Sequence, residues 1–389
     1  MSKTKNKKQV IYRAFFIVLW SLAPLMNYVR IMWMRLPVIG KFHESLVPTI
    51  IVISILLASN KLLRRIKKRD FVFYSVLLFV YLMNYVWFPD NEPFLDEYFY
   101  SFAILALPYY FAGVSFDIRK CWSDLFRVSF ISIICFGLFK FILISSNYEF
   151  EKDSDMTGAY QLLPHLLLCI WAMFQKRTIW RIGIVVYGVF LLLGQGNRGS
   201  VLSLLIFVVL FLLFVYQTKF RYKFLSGIIG GTLIVFYKEI NDYLFSKMEE
   251  FGLSTRLFSM YLEGELTDST GRDEMFSQAI NAVKNSPLFG YGITGDRYFS
   301  GGLAYIHNFL FEILIAFGPI IGSFIFISLL ILLAIGLKVS SRLELTWLLI
   351  LICVGFIPLF ISGTFLTTGW FFFMIGFCIS VIRNHQNKE

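Results

Sequence analysis

A histidine that could move a proton and several arginines that could hold phosphate stand out in the second half of this chain. His307 lies in AYIHNFLFEILIAFG, where a long apolar run begins. Histidine changes charge near neutral pH and can take or give a proton. Asn308 and Glu312 are four residues apart, hence on one face of a helix, with His307 about 100° around from Asn308. A helix starting at an outer surface would turn its unpaired N–H groups outward, which suits a phosphate. The plain alternative is a histidine that caps a helix or hydrogen-bonds at an interface.

Arg198 lies in GQGNRGS, between two apolar runs and flanked by glycines. A charge at such a depth is costly unless it faces a cavity or a partner. A snorkelling interfacial arginine is the competing reading. Arg256 lies in LSTRLFSMYLE and Arg272 in STGRDEMF. Residues 239–304 hold ten Asp and Glu against five Lys and Arg, so each of these arginines could instead pair with a neighbouring acid.

Other patterns carry less. Gly290, Gly292 and Gly295 spell GxGxxG, but that motif needs a strand before it and a helix after it. Pro287 precedes it here, and a flexible turn is the expected structure. Asp153 and Asp155, like Glu92, Asp96 and Glu97, sit in short acidic loops where solvated charge suffices. There is no HExxH and no Cys/His set, so no metal and no other cofactor is called for. Four of the five cysteines fall in apolar runs and Cys121 in a loop, which suits packing residues.

The elements that position these side chains are membrane helices. The chain has 389 residues, 57% of them hydrophobic and only 16% charged, whereas soluble domains carry about 25% charged residues. That is too little polar surface to coat a soluble globule. A helix crossing a hydrocarbon layer satisfies its own backbone, so an all-α, polytopic helix bundle follows. Twelve spans are expected, at about 10–29, 46–60, 71–88, 98–114, 127–145, 158–174, 180–196, 200–217, 223–238, 305–337, 343–362 and 364–382. The first reads as a retained span rather than a cleaved leader. The tenth is long enough to be tilted, or broken near Gly318-Pro319.

Basic loops (NKLLRRIKKR, DIRKCWSDLFR, QKRTIWR, QTKFRYK) alternate with acid-rich ones (FPDNEPFLDEY, NYEFEKDSD), except that the first connection, with Arg30, Arg35 and Lys41, is basic yet falls on the outer side. The net charge of +11 is thus topology information and not a nucleic-acid face. The positive-inside rule puts both termini in the cytoplasm. Three regions result: 1–238 with spans one to nine, an outer loop at 239–304, and 305–389 with spans ten to twelve and a tail. Within the loop, Thr270 and Asp273 have capping-box spacing. Met275, Phe276, Ala279, Ile280 and Val283 form one helical stripe stopped by Asn285, Ser286 and Pro287.

Three stretches in this order resemble the O-antigen polymerase and O-antigen ligase superfamily. They are GNRGS after an apolar span, STGRDEMFSQAINAVKNSPLFGYGITGDR, and YIHNFLFEILIAFGPIIG. The resemblance implies a GT-C-like, all-helical glycosyltransferase of the bacterial cytoplasmic membrane, with a large structured extracytoplasmic loop. Its substrate would be an oligosaccharide on undecaprenyl diphosphate, used at the outer face without metal or nucleotide sugar. It implies His307, Arg198 and Arg272 as catalytic residues. Arg256, Arg297, Asn308 and Glu312 are set beside them for substrate binding. The GYGITGDR and YIHNFLFEIL wording is more like a capsule, exopolysaccharide or O-antigen polymerase than a ligase, and a chain-length regulator protein is a possible partner.

A transporter or flippase of lipid-linked sugars would also have twelve spans. It predicts polar residues deep in several of them. Here the spans are nearly charge-free at mid-depth, with Lys140 and His165 as exceptions; Pro164-His165 reads as a helix kink.

Overall fold

The computed structural model describes residues 9–21, 65–145, 152–195, 197–216, 272–300 and 305–387, without the side chains of 142–145, 152–157, 198, 272 and 273. The described residues are mostly helical, with no strand among them. Expected spans at 46–60 and 223–238, the loop before residue 272, and Arg256 lie outside them. The chain divides into two compact units, one of residues 1–62 and 117–263 and one of 63–116 and 264–389.

The first unit contains α1 (Gln9–Ser21), α5 (Ile118–Ser145), α6 (Lys152–Gln175), α7 (Ile179–Leu193) and α8 (Arg198–Leu210), the last extended by a π-helical turn at Phe211–Val215. Helix α6 packs along α5 and α7. Pro164 sits inside α6, and the buried His165 beside it places Nδ1 3.0 Å from Ser129 Oγ on α5. Trp20 of α1 donates to the same hydroxyl over 2.8 Å. Buried polar atoms in an apolar bundle need such partners, and sharing Ser129 ties three helices together.

The second unit holds α2 (Lys68–Trp87), α3 (Glu92–Tyr100), α4 (Tyr109–Ser115), α9 (Arg272–Lys284), α10 (Phe309–Val339), α11 (Arg342–Leu351) and α12 (Gly369–Gln386). Helices α4 and α12 cross almost backbone to backbone. A Cβ on Gly113 would stand 2.1 Å from the Phe373 carbonyl oxygen, and one on Gly376 2.2 Å from that of Tyr110. Small residues permit this approach where lipid offers helices no hydrophobic drive to associate.

Three expected spans differ in detail. The run at 98–114 is interrupted, because α3 passes into a π-helical turn at Ser101–Ala106 and Pro108 starts α4 afresh. Proline has no N–H and its ring crowds the preceding turn, which favours a kink or a break at that point, and here the helix restarts. The run at 343–362 likewise leaves α-helical geometry after Leu351, through a π-helical turn and a 3-10 turn containing Pro358.

The tenth run is broken at Gly318, as its sequence suggests, and it also reverses direction. Gly318 takes φ 78° and ψ 162°. A Cβ on Gly322 would lie 2.7 Å from the Ile313 carbonyl oxygen, and the rings of Phe309 and Phe326 are 6.2 Å apart. In a straight helix nine residues span about 13.5 Å. The two halves therefore fold against each other as a helical hairpin. Of this run only 319–339, about 31 Å long at about 1.5 Å per residue, is an unbroken helix long enough to cross a membrane, although the whole of Phe309–Val339 is apolar enough.

Candidate functional site

The first half of the hairpin, residues 309–317, carries the candidate site at its start. Asn308 caps it: Oδ1 accepts from the N–H groups of Leu310 (3.0 Å) and Phe311 (3.4 Å). Two of the helix's exposed donors are thereby taken, so the expectation of an N-terminus open to phosphate is not met here. His307 sits in the turn before the helix rather than on it, half-buried, its ring edge-on to Tyr305 with centroids 4.5 Å apart. The Tyr305 hydroxyl donates to the Ser362 carbonyl over 2.8 Å. Phe309 then plugs the base of the helix into an aromatic cluster with Phe326, Phe356, Phe360, Phe365 and Phe371.

Behind this turn lies a buried ionic cluster. Arg297, in the 3-10 turn Gly295–Phe299, pairs with Asp296, and its Nη1 is 3.5 Å from Glu312 Oε1. The Thr364 hydroxyl donates to the same Glu312 oxygen. Asp296 Oδ2 accepts from the Ile306 N–H at 3.1 Å, one residue before His307. The guanidinium stacks near the rings of Tyr98 (4.7 Å) and Tyr305 (5.8 Å). Burial works against the charged form of Arg297, but the carboxylates of Asp296 and Glu312 together outweigh it and hold the group above its ordinary range. Arg297 and Glu312 thus face each other and the His307 turn. Asp296, Thr364 and Tyr305 join them without any signal in the sequence, apart from adjacency to the GDR and YIH words.

Helix α9 packs on this assembly. Met275, Ala279 and Ala282 are buried with Ile306 and Ile315, and Phe276 lies against Phe311. The expected stripe is rotated, with Ala282 inside and Ile280 42% exposed, because the seam follows 275, 279 and 282, one turn apart at each step. Arg272 is the first residue of α9, so the backbone that carries it belongs to the same packed unit as His307. Of the expected capping box, Thr270 and the side chain of Asp273 lie outside the described residues.

The glycine turn is rigidly built, contrary to the flexible turn expected. The N–H groups of Tyr291 and Gly292 donate to the carbonyls of Ile315 (2.8 Å) and Ala316 (3.0 Å). Those carbonyls end a helix that breaks at Gly318 and have no partner within it. Gly290 and Gly292 take φ of 74° and 83°, where a side chain would be strained. Asn84 and Asn91 hold the turn from the other side: Ile293 N–H donates to Asn84 Oδ1 (2.7 Å), and Asn91 Nδ2 donates to the carbonyls of Tyr291 (2.8 Å) and Ile293 (3.1 Å).

Arg198 belongs to the other unit, as the first residue of α8. Asn197 caps that helix, its Oδ1 accepting from Ser200 N–H at 3.1 Å. Lys140 ties down the end of α7 by donating to the Gly194 carbonyl over 3.1 Å. Among the described residues no group of three His, Cys, Asp or Glu side chains could hold a metal.

Helices of this length and hydropathy, with a polar cluster gathered at one turn, define a multi-helix membrane protein. Residues 166–327 match the family described as O-antigen ligase, which bears out the resemblance to the O-antigen polymerase and ligase superfamily. No curated protein and no solved structure matches the chain.

Proposed function

We propose that this chain is a bacterial polysaccharide polymerase that joins oligosaccharide repeat units carried on undecaprenyl diphosphate, at the outer face of the cytoplasmic membrane. One observation carries the reading. The family match at 166–327 contains Arg198, Arg256, Arg272, Arg297, His307, Asn308 and Glu312, every residue singled out for chemistry.

The acceptor hydroxyl attacks the anomeric carbon of the donor sugar, and His307 takes its proton. The bond from that carbon to the diphosphate oxygen breaks, leaving negative charge on undecaprenyl diphosphate. Arg198 and Arg272 receive that charge, with Arg256 in support, because a guanidinium stays cationic and binds phosphate in a bidentate fork. Arg297 and Glu312 hold the turn that presents His307, and Asn308 fixes the start of its helix. Both termini are assigned to the cytoplasm, and a chain-length regulator protein is the assigned partner.

Ligase activity, transfer of glycan to a lipid core acceptor, is the second reading, favoured by the description of the matching family itself. The experiment gives purified protein an undecaprenyl diphosphate oligosaccharide alone. A ladder of longer lipid-linked products is expected. Transfer only after a lipid core acceptor is added means ligase, and movement across vesicles without either product means a transporter.

A further inference from the structure

We propose that a groove between α2, α10 and α12 binds one anionic phospholipid, far along the chain from the residues assigned to the reaction. The groove has a volume of about 390 Å³. Its walls are apolar, from Phe73, Leu332, Ile379 and Ile382, while Arg69 and Arg383 line its polar part.

Arg383 marks the headgroup position. Its Nη1 donates to Asp70 Oδ2 over 2.8 Å, and its Nη2 to the other carboxylate oxygen. Asp70 is fully satisfied, accepting also from Tyr110 Oη (2.9 Å) and Lys67 N–H (2.7 Å). The Arg383 side chain is 10% exposed and lines the groove beside Arg69. Each of its Nη groups has a second N–H beyond the one given to Asp70, and a phosphate oxygen is a suitable acceptor for a guanidinium.

Charge complementarity selects an anion. Asp70 neutralises Arg383, so the exposed Arg69 sets the net sign at the groove, with Lys67 and Lys68 exposed beside it. The walls then select a lipid over a free ion. Inorganic phosphate would leave the Phe73, Leu332, Ile379 and Ile382 surface wet, whereas an acyl chain covers it. Basic pockets between membrane helices on the cytoplasmic side suit such headgroups, and the basic run RRIKKR at residues 64–69 assigns this end there by the positive-inside rule.

The test uses full-length protein in phosphatidylcholine vesicles and compares association of spin-labelled phosphatidylglycerol with that of spin-labelled phosphatidylcholine. Wild type should prefer phosphatidylglycerol, and Arg69→Gln should lower that preference about fivefold. Ile379→Trp, which fills the groove without changing charge, should lower it as well. Lys284→Gln, on α9 of the same unit and outside the lining of the groove, removes one exposed charge and should leave it intact. Equal losses for Arg69→Gln and Lys284→Gln would mean diffuse surface attraction and overturn the proposal. So would an unchanged preference in Ile379→Trp, no preference in wild type, or full displacement of the lipid by inorganic phosphate.

Discussion

Arg297 Nη1 and Glu312 Oε1 lie 3.5 Å apart, with their side chains 2% and 1% exposed. Removing one member of a buried ion pair strands the other, at a typical cost of about 3–5 kcal/mol. Arg297→Met should cost the most, because it leaves both Asp296 and Glu312 without their cation. Glu312→Gln should cost less, since an amide oxygen can still accept from Thr364. Introduced together, the two changes should destabilise by less than the sum of the single effects, as expected for groups in contact. Thermal unfolding of the three variants in detergent reads this directly; strict additivity would dissolve the cluster as a unit.

The reversal at Gly318 should tolerate no side chain. A Cβ there would lie 2.4 Å from the Leu288 carbonyl oxygen, and one on Gly290 2.4 Å from Gly318 N. Both residues also have positive φ, where an L-residue costs about 1–2 kcal/mol before any clash. Gly318→Ala and Gly290→Ala should therefore lower the unfolding temperature clearly. Gly183→Ala, in α7 with nothing within 4 Å of the added methyl, should be neutral or slightly stabilising by helix propensity. Matching losses at all three positions would mean that the hairpin is not the cause.

These relationships mark where the sequence is legible. The break at Gly318-Pro319 can be read because both residues act on their own backbone. The reversal cannot, since it depends on carbonyls at 315 and 316 meeting donors at 291 and 292. The same distance hides the rigidity of the glycine turn, whose holding residues Asn84 and Asn91 lie some two hundred positions earlier. Local spacing predicts a stripe on α9, yet the choice between Ile280 and Ala282 is made by Ile306 and Ile315. Thr364 is 52 residues from Glu312, and nothing in its surroundings announces the contact. His307 is visible because histidine is rare here, four in 389 residues, and Arg198 because it stands alone between two apolar runs, whatever the fold around them.

His307→Ala should separate chemistry from stability. The side chain is only half-buried, so the variant should unfold near the wild-type temperature. Polymer extension should fall by about 10²–10⁴-fold, the usual effect of removing a positioned base. A base must be neutral to accept a proton, so wild-type activity should decline on acidification. The residual activity of His307→Ala should lack that decline. Arg297 cannot produce it, because its neighbours hold its titration above the ordinary arginine range and it stays charged throughout. Long polymer from a normally made His307→Ala protein would remove the base assignment.

The cap on α8 offers a test of Arg198 that does not touch Arg198. Asn197 Oδ1 accepts from Ser200 N–H at 3.1 Å, and such caps contribute about 1 kcal/mol. Asn197→Ala frees the first turn of α8, the turn that carries Arg198. If Arg198 binds the departing diphosphate through a bidentate fork, its position matters beyond its charge. Asn197→Ala should then lower polymer extension well beyond its small effect on unfolding temperature, whereas Asn197→Ser, which can rebuild the cap, should restore most of it. Arg198→Lys keeps the charge and loses the fork, so it should resemble Asn197→Ala in activity while leaving stability unchanged. Full activity in Arg198→Lys would show that a point charge suffices there and that the fork geometry has no part in the reaction.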